Sequence, residues 1–219
     1  MGIYVESLIL YILIFLPGLQ TGVSGADAAE FSTALAVQEI VKIFMRSLPS
    51  LVLIWYLLLK NDAVNREMNT EYLKFGKKDL IAALTALPCL TLIGFSITFL
   101  SSVSGTAEVF MIHSPSGFAG WLVLCVSCVI SAYLEESYFR FYLLTKREQF
   151  NLSAPGMVTL SVILFSLCHI YAGLWGFINA AVSGIILCLL FLRFKSIHGI
   201  AVGHALYNIL AFVLNKMIN

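Results

Sequence analysis

The sequence predicts an all-α, polytopic membrane bundle of about seven transmembrane helices in a single domain spanning 1–219. Three observations predict it. Of 219 residues, 60% are hydrophobic and 11% charged, whereas a soluble domain carries about a quarter of its residues as charges. Apolar runs approach or reach the length of a membrane span, about 20 residues, and they recur along the whole chain. The charges gather mostly between these runs. In lipid each backbone polar group needs an internal partner, so such runs are helices. A net charge of +1 supplies no field for nucleic acid, and the expected partners are the bilayer and what resides in it.

The first run, 3–19, has an apolar stretch from Leu8 to Leu16 followed by small residues from Gly22 to Ala26. A secretory signal would carry a basic residue before that stretch; this chain carries Glu6, so the run is read as a span. Glu6 also stands where a myristoylation signal needs Ser or Thr. Further spans are expected at 35–59, 80–101, 118–144, 155–171, 174–192 and 199–214. The basic residues orient them. Lys60, Arg66, Lys74, Lys77 and Lys78 follow the second span, Lys146 and Arg147 the fourth, and Arg193 and Lys195 the sixth. The stretch around Asp27 and Glu30, and the stretch 103–117, contain no Lys or Arg. An integral, multi-pass protein with a cytoplasmic N-terminus is the expectation. Lys42 and Arg46 fit this poorly, unless the second span starts later or both side chains snorkel to the interface.

The charges that matter are in the fourth span, in Glu135-Glu136-Ser137-Tyr138-Phe139-Arg140. A charge at mid-bilayer costs at least about 2.5–3.5 kcal/mol. Glu136 and Arg140 are i,i+4 neighbours, so the arginine can hold that carboxylate, while Glu135 points elsewhere without a built-in partner. A restrained carboxylate beside a freer one gives a site two groups of different role. Read alone, the pair serves equally well as a helix-packing ion pair. The fifth span adds Phe165 and His169, and the seventh adds His204 and Asn208, again at i,i+4. With 1.5 Å rise per residue, Glu135 lies roughly 16 Å from Lys146, His204 roughly 13 Å and Asn208 roughly 20 Å from Lys195, and His169 roughly 24 Å from Ser153. Three helices can therefore present polar groups at overlapping depth.

Glu-Glu-x-x-x-Arg, Phe-x-x-x-His and His-x-x-x-Asn, in that order on three membrane helices, resemble the CPBP (Abi) family of intramembrane peptidases related to the CAAX prenyl endopeptidases. The resemblance covers roughly 118–215 and leaves the spans within 1–117 without specific features. It implies that Glu135 and His169 activate a water, that His204 and Asn208 stabilise the oxyanion, and that Glu136 and Arg140 support the site. Amide hydrolysis needs such a base and such donors. The implied substrate is a membrane-associated or lipidated protein or peptide. Glu135, His169 and His204 would make a zinc set with water in the fourth position, and the same groups would also work without metal; the sequence does not choose. Phe141 is a departure, standing where the family usually has glycine.

Other features carry no function in this reading. The five cysteines, an odd number, lie in apolar runs and act as small hydrophobes, Cys125-x-x-Cys128 included. His113 and His198 are read as solvated or interfacial. Asn151-Leu152-Ser153 matches a glycosylation pattern but faces the cytoplasm. Trp55, Trp121 and Trp175 suit interfacial belts and packing. Alternatives to the peptidase are a transporter or ion path, a bis-histidine haem protein on His169 and His204, and an inactive immunity or scaffold member of the family.

Overall fold

Apolar runs that cannot leave their amides unpaired in lipid become helices, and the computed structural model, which describes residues 2–15, 33–60, 72–106, 115 and 117–218, shows seven of them. They are α1 Gly2–Phe15, α2 33–60, α3 Lys77–Val103, α4 Gly117–Thr145, α5 Ala154–Leu167, α6 Gly173–Phe194 and α7 Ile197–Ile218. No β-strand occurs among the described residues. Five of the helices (α2, α3, α4, α6 and α7) are long and apolar enough to cross a membrane. Helices α1 and α5 have 14 residues each, or about 21 Å at 1.5 Å per residue, against a hydrocarbon core of about 30 Å. The remainder of the first run, the loop residues Asp27, Glu30 and Arg66, and His113 lie outside the described residues.

Two helices change pitch. In α2 a π turn, Ile43–Ser47, precedes Pro49, whose ring lacks an N–H and crowds the carbonyl four residues back. The Arg46 guanidinium bonds the Ile14 carbonyl at the end of α1, with Nε at 3.1 Å. It fills an acceptor that the last turn of a helix leaves open. In α4 a π turn, Ser137–Tyr142, follows Glu136 directly. Ser161 Oγ donates to the Phe139 carbonyl in this turn at 2.7 Å.

Close approach fixes α7 against α3. A Cβ on Gly203 would lie 2.7 Å from Ala86 Cβ, and one on Gly199 would meet the Asp79 carbonyl. Small residues at such a spacing let membrane helices pack backbone to backbone. The starts of the two helices are tied as well. Asp79 accepts from Gly76 N at 2.7 Å and from Ser196 Oγ at 2.5 Å, and Ser196 Oγ accepts from Gly199 N at 2.9 Å. Both are N-terminal capping contacts. Lys78 Nζ reaches the Lys195 carbonyl at 3.0 Å, and Tyr72 packs on Phe141 at 5.6 Å and Phe191 at 5.1 Å. The basic start of α3, the end of α4 and the α6–α7 turn thus gather at one end of the bundle. Phe141 fills this region, 1% exposed, where a glycine would leave a void. All five cysteines are free.

Candidate active site

The site forms where α4, α5 and α7 meet, and its centre is Glu136. This carboxylate and Arg140 are both wholly buried, with Arg140 Nη1 3.0 Å from Glu136 Oε1. The same oxygen accepts from His204 Nδ1 at 2.8 Å, so one buried carboxylate holds groups from two helices. Because a carboxylate only accepts, the proton of that bond sits on His204 Nδ1. His204 Nε2 is thereby turned to Glu135, 3.9 Å from Oε2. The Glu135 side chain is 22% exposed, so this second carboxylate is the more accessible one. The neighbouring π turn begins one residue later; such widened turns occur frequently at functional sites.

His169 arrives differently from the mid-helix position expected for it. Helix α5 stops at Leu167, and His169 lies beyond its cap, ahead of the 3-10 turn Ile170–Ala172. The chain reverses at Gly173, whose φ of +73° suits a residue without Cβ. Tightening of the last turn sends His169 N to the Ser166 carbonyl at 2.9 Å and leaves the Phe165 carbonyl open. His169 Nδ1 fills it at 2.8 Å. A carbonyl accepts only, so Nδ1 carries the proton and a neutral His169 keeps Nε2 as its basic nitrogen.

Phe165 joins the two halves. Its ring lies 4.2 Å from the Arg140 guanidinium carbon, 4.6 Å from the His169 ring and 6.3 Å from the His204 ring. The cation over its face is favourable, so the aromatic of the Phe-x-x-x-His pattern seats Arg140 while its backbone orients His169. Gly184 of α6 completes the seat, since a Cβ there would lie 3.2 Å from the Phe165 ring and 3.6 Å from Arg140 Nη2. Asn208, one turn beyond His204 on α7, is half-buried and enters none of these contacts. Buried atoms without a hydrogen-bond partner include Glu135 Oε2, Glu136 Oε2, and Nε and Nη2 of Arg140, polar valences of the kind ordered water fills.

The choice between a zinc set on Glu135, His169 and His204 and a metal-free site, left open by the sequence, stays open. Among the described residues no three His, Cys, Asp or Glu side chains are grouped to hold a metal ion. The Nδ1 atoms of His169 and His204 are already engaged. His198 corrects another expectation, being buried at 6% exposure. Its Nδ1 meets Tyr133 OH and its Nε2 meets the Leu73 carbonyl, both at 3.1 Å, and its ring stacks on Phe75 at 3.8 Å. A histidine near a helix start carries no sequence signal for such a pocket. Ser161 and the Trp55–Ser137 bond at 2.8 Å were likewise invisible as site supports, whereas Phe165 had been marked by the Phe-x-x-x-His pattern without a role. Outside the spans, burial lowers the Lys146 ammonium from the ordinary lysine value, and the adjacent Glu6 opposes that shift.

Residues 117–210 match the family model described as Rce1-like, type II CAAX prenyl endopeptidase Rce1-like. The likeness to this family spans residues 117–210 of the 219. Its bounds enclose Glu135, Glu136, Arg140, His169, His204 and Asn208, and helices α1–α3 precede it. No curated protein and no solved structure matches the chain. The five helices of spanning length mark an integral membrane protein whose residues 117–210 are similar to a CAAX endopeptidase family model.

Proposed function

We propose that this protein is an intramembrane endopeptidase that hydrolyses a peptide bond in a membrane-associated or lipidated protein or peptide. The observation that carries the reading is the chain of contacts Arg140–Glu136–His204–Glu135, with Glu136 wholly buried and Glu135 partly accessible. A packing ion pair would end at Glu136. Here it continues through an oriented imidazole to a second carboxylate.

In this reading Glu135 takes the proton of the attacking water, with His169 Nε2 as the second basic group. A positioned base of this kind contributes about 10²–10⁴-fold. The Glu136 bond fixes the protonated Nδ1 of His204, and in the imidazolium form Nε2–H donates to the oxyanion that develops on the substrate carbonyl. Asn208 supplies the second donor. Preorganised donors of this type are worth about 10²–10³-fold each. Arg140 holds Glu136 in place.

The test is cleavage of a membrane-peptide library, lipidated members included, by purified protein in vesicles, with Glu135→Gln alongside. Cleavage by the wild type and none by Glu135→Gln is expected. A Glu135→Gln protein that turns over like wild type would sink the mechanism.

A further inference from the structure

Helix α1 lies outside the matched residues 117–210, yet its polar side chains are bonded to that region in a row. Tyr4, Ser7 and Tyr11 follow the i, i+3, i+7 spacing of one helix face. Tyr4 OH donates to the Phe150 carbonyl. Tyr138 OH lies 3.0 Å from Ser7 Oγ and donates to the Ser7 carbonyl at 2.9 Å. Tyr11 OH donates to the Leu164 carbonyl at 3.1 Å. Hydroxyls on an otherwise apolar helix are costly in lipid without partners, and each partner here is a point on α4, the loop after it, or α5.

Tyr11 reaches the part of α5 from which His169 projects. The Leu164 carbonyl also accepts from Cys168 N at 3.3 Å. The Cys168 thiol divides its single proton between that carbonyl at 3.3 Å and Tyr11 OH at 3.4 Å. Cys168 is the residue immediately before His169. The Tyr11 ring is itself seated, 6.3 Å from Tyr138 and 6.5 Å from Phe139, the residues just before Arg140. The terminal turn of a helix lacks the onward hydrogen bonds that restrain its interior. Here an external hydroxyl adds a tether from another helix to a carbonyl that Cys168 already bonds.

We infer that Tyr11 is a positioning residue for His169: its hydroxyl tethers the last turn of α5 and so sets where His169 Nε2 stands relative to Glu135. This rests on the peptidase reading above. It also assigns a role in turnover to a helix that precedes the matched residues 117–210. Misplacing a catalytic group by about 1 Å costs about 10²-fold in rate; with α5 still anchored elsewhere, removal of this one tether is expected to lower kcat by about 10-fold.

The experiment uses the full chain in vesicles, with a peptide cleaved by the wild type. Tyr11→Phe keeps the ring and removes the hydroxyl, and Tyr4→Phe does the same at the far end of the row. A second measurement follows methanethiosulfonate labelling of Cys168 in a chain whose other four cysteines are alanine. Tyr11→Phe should lower kcat, leave KM and the melting temperature unchanged, and speed Cys168 labelling. Tyr4→Phe should change none of these. Wild-type kcat in Tyr11→Phe, or an equal loss in Tyr4→Phe, overturns the assignment. If Glu135→Gln proves fully active, the peptidase reading fails instead, and the labelling rates still decide whether Tyr11 holds the turn.

Discussion

Replacing Glu136 by glutamine is the perturbation with the largest calculable effect. Its Oε1 accepts from Arg140 at 3.0 Å and from His204 at 2.8 Å, in surroundings with no solvent exposure for either Glu136 or Arg140. Glutamine keeps the shape but removes the charge, and one amide oxygen must then serve two donors. Arg140 stays charged, with a shared neutral amide oxygen and the Phe165 and Phe139 rings in place of the carboxylate. Removing one partner of a buried pair costs about 3–5 kcal/mol, and at about 1.4 kcal/mol per factor of ten that lowers the folded-to-unfolded ratio by between about 10²-fold and about 4 × 10³-fold. Reversible unfolding in detergent micelles reads the stability, and turnover per folded molecule reads the loss of His204 alignment. Arg140→Ala should lose a similar amount, and the double variant should lose less than the sum, because coupled partners in contact share the penalty. A Glu136→Gln protein as stable as wild type, or strict additivity with Arg140→Ala, would refute the buried three-way contact.

The remaining expectations concern other parts of the molecule. Glu135→Gln should abolish turnover while unfolding like wild type, since its partly exposed carboxylate has no buried cation to strand; loss of stability comparable to Glu136→Gln would show the roles to be misassigned. Phe141→Gly, although it introduces the residue usual in the family, should destabilise by about 3–5 kcal/mol, the range for emptying a buried aromatic site, as the same unfolding curve will show. Cysteines placed at Lys74 and Glu148, both exposed, should resist an impermeant thiol reagent in intact cells if the basic end of the bundle is cytoplasmic; efficient labelling would invert the orientation. Ser161→Ala should cost roughly 1–3 kcal/mol by leaving the Phe139 carbonyl unpaired in a buried site, and a neutral result would mean that water replaces the hydroxyl.

What the sequence disclosed follows from what it encodes locally. Apolar runs in lipid have a single backbone solution, so all seven helices were legible. The Glu136–Arg140 pair is a spacing rule, and rise per residue was enough to bring Glu135 and His204 to one depth, as the 3.9 Å separation bears out. Interactions between helices were harder. Nothing at i,i+4 announces that His204 bonds Glu136 or that Phe165 seats Arg140. The depth computed for His169 assumed a continuous helix, and Gly173 was the available sign that α5 stops short. The π turn after Glu136 has no proline to betray it, in contrast to the one before Pro49. His198 was misjudged because burial near a helix start depends on what folds over it, here Phe75 and Tyr133.

The contact of Gly199 and Gly203 with α3 has a mechanical consequence. Backbones this close leave no lubricating layer of side chains, so α7 cannot slide or roll on α3 without a clash at Ala83 or Ala86. The cap shared by Asp79 and Ser196 locks the same pair at its end. The two helices therefore travel as one stiff beam, and His204 keeps its height only relative to that beam. Any parting of the bundle that admits an extended peptide must then run along other seams, where bulkier side chains separate the helices and can exchange rotamers as they move.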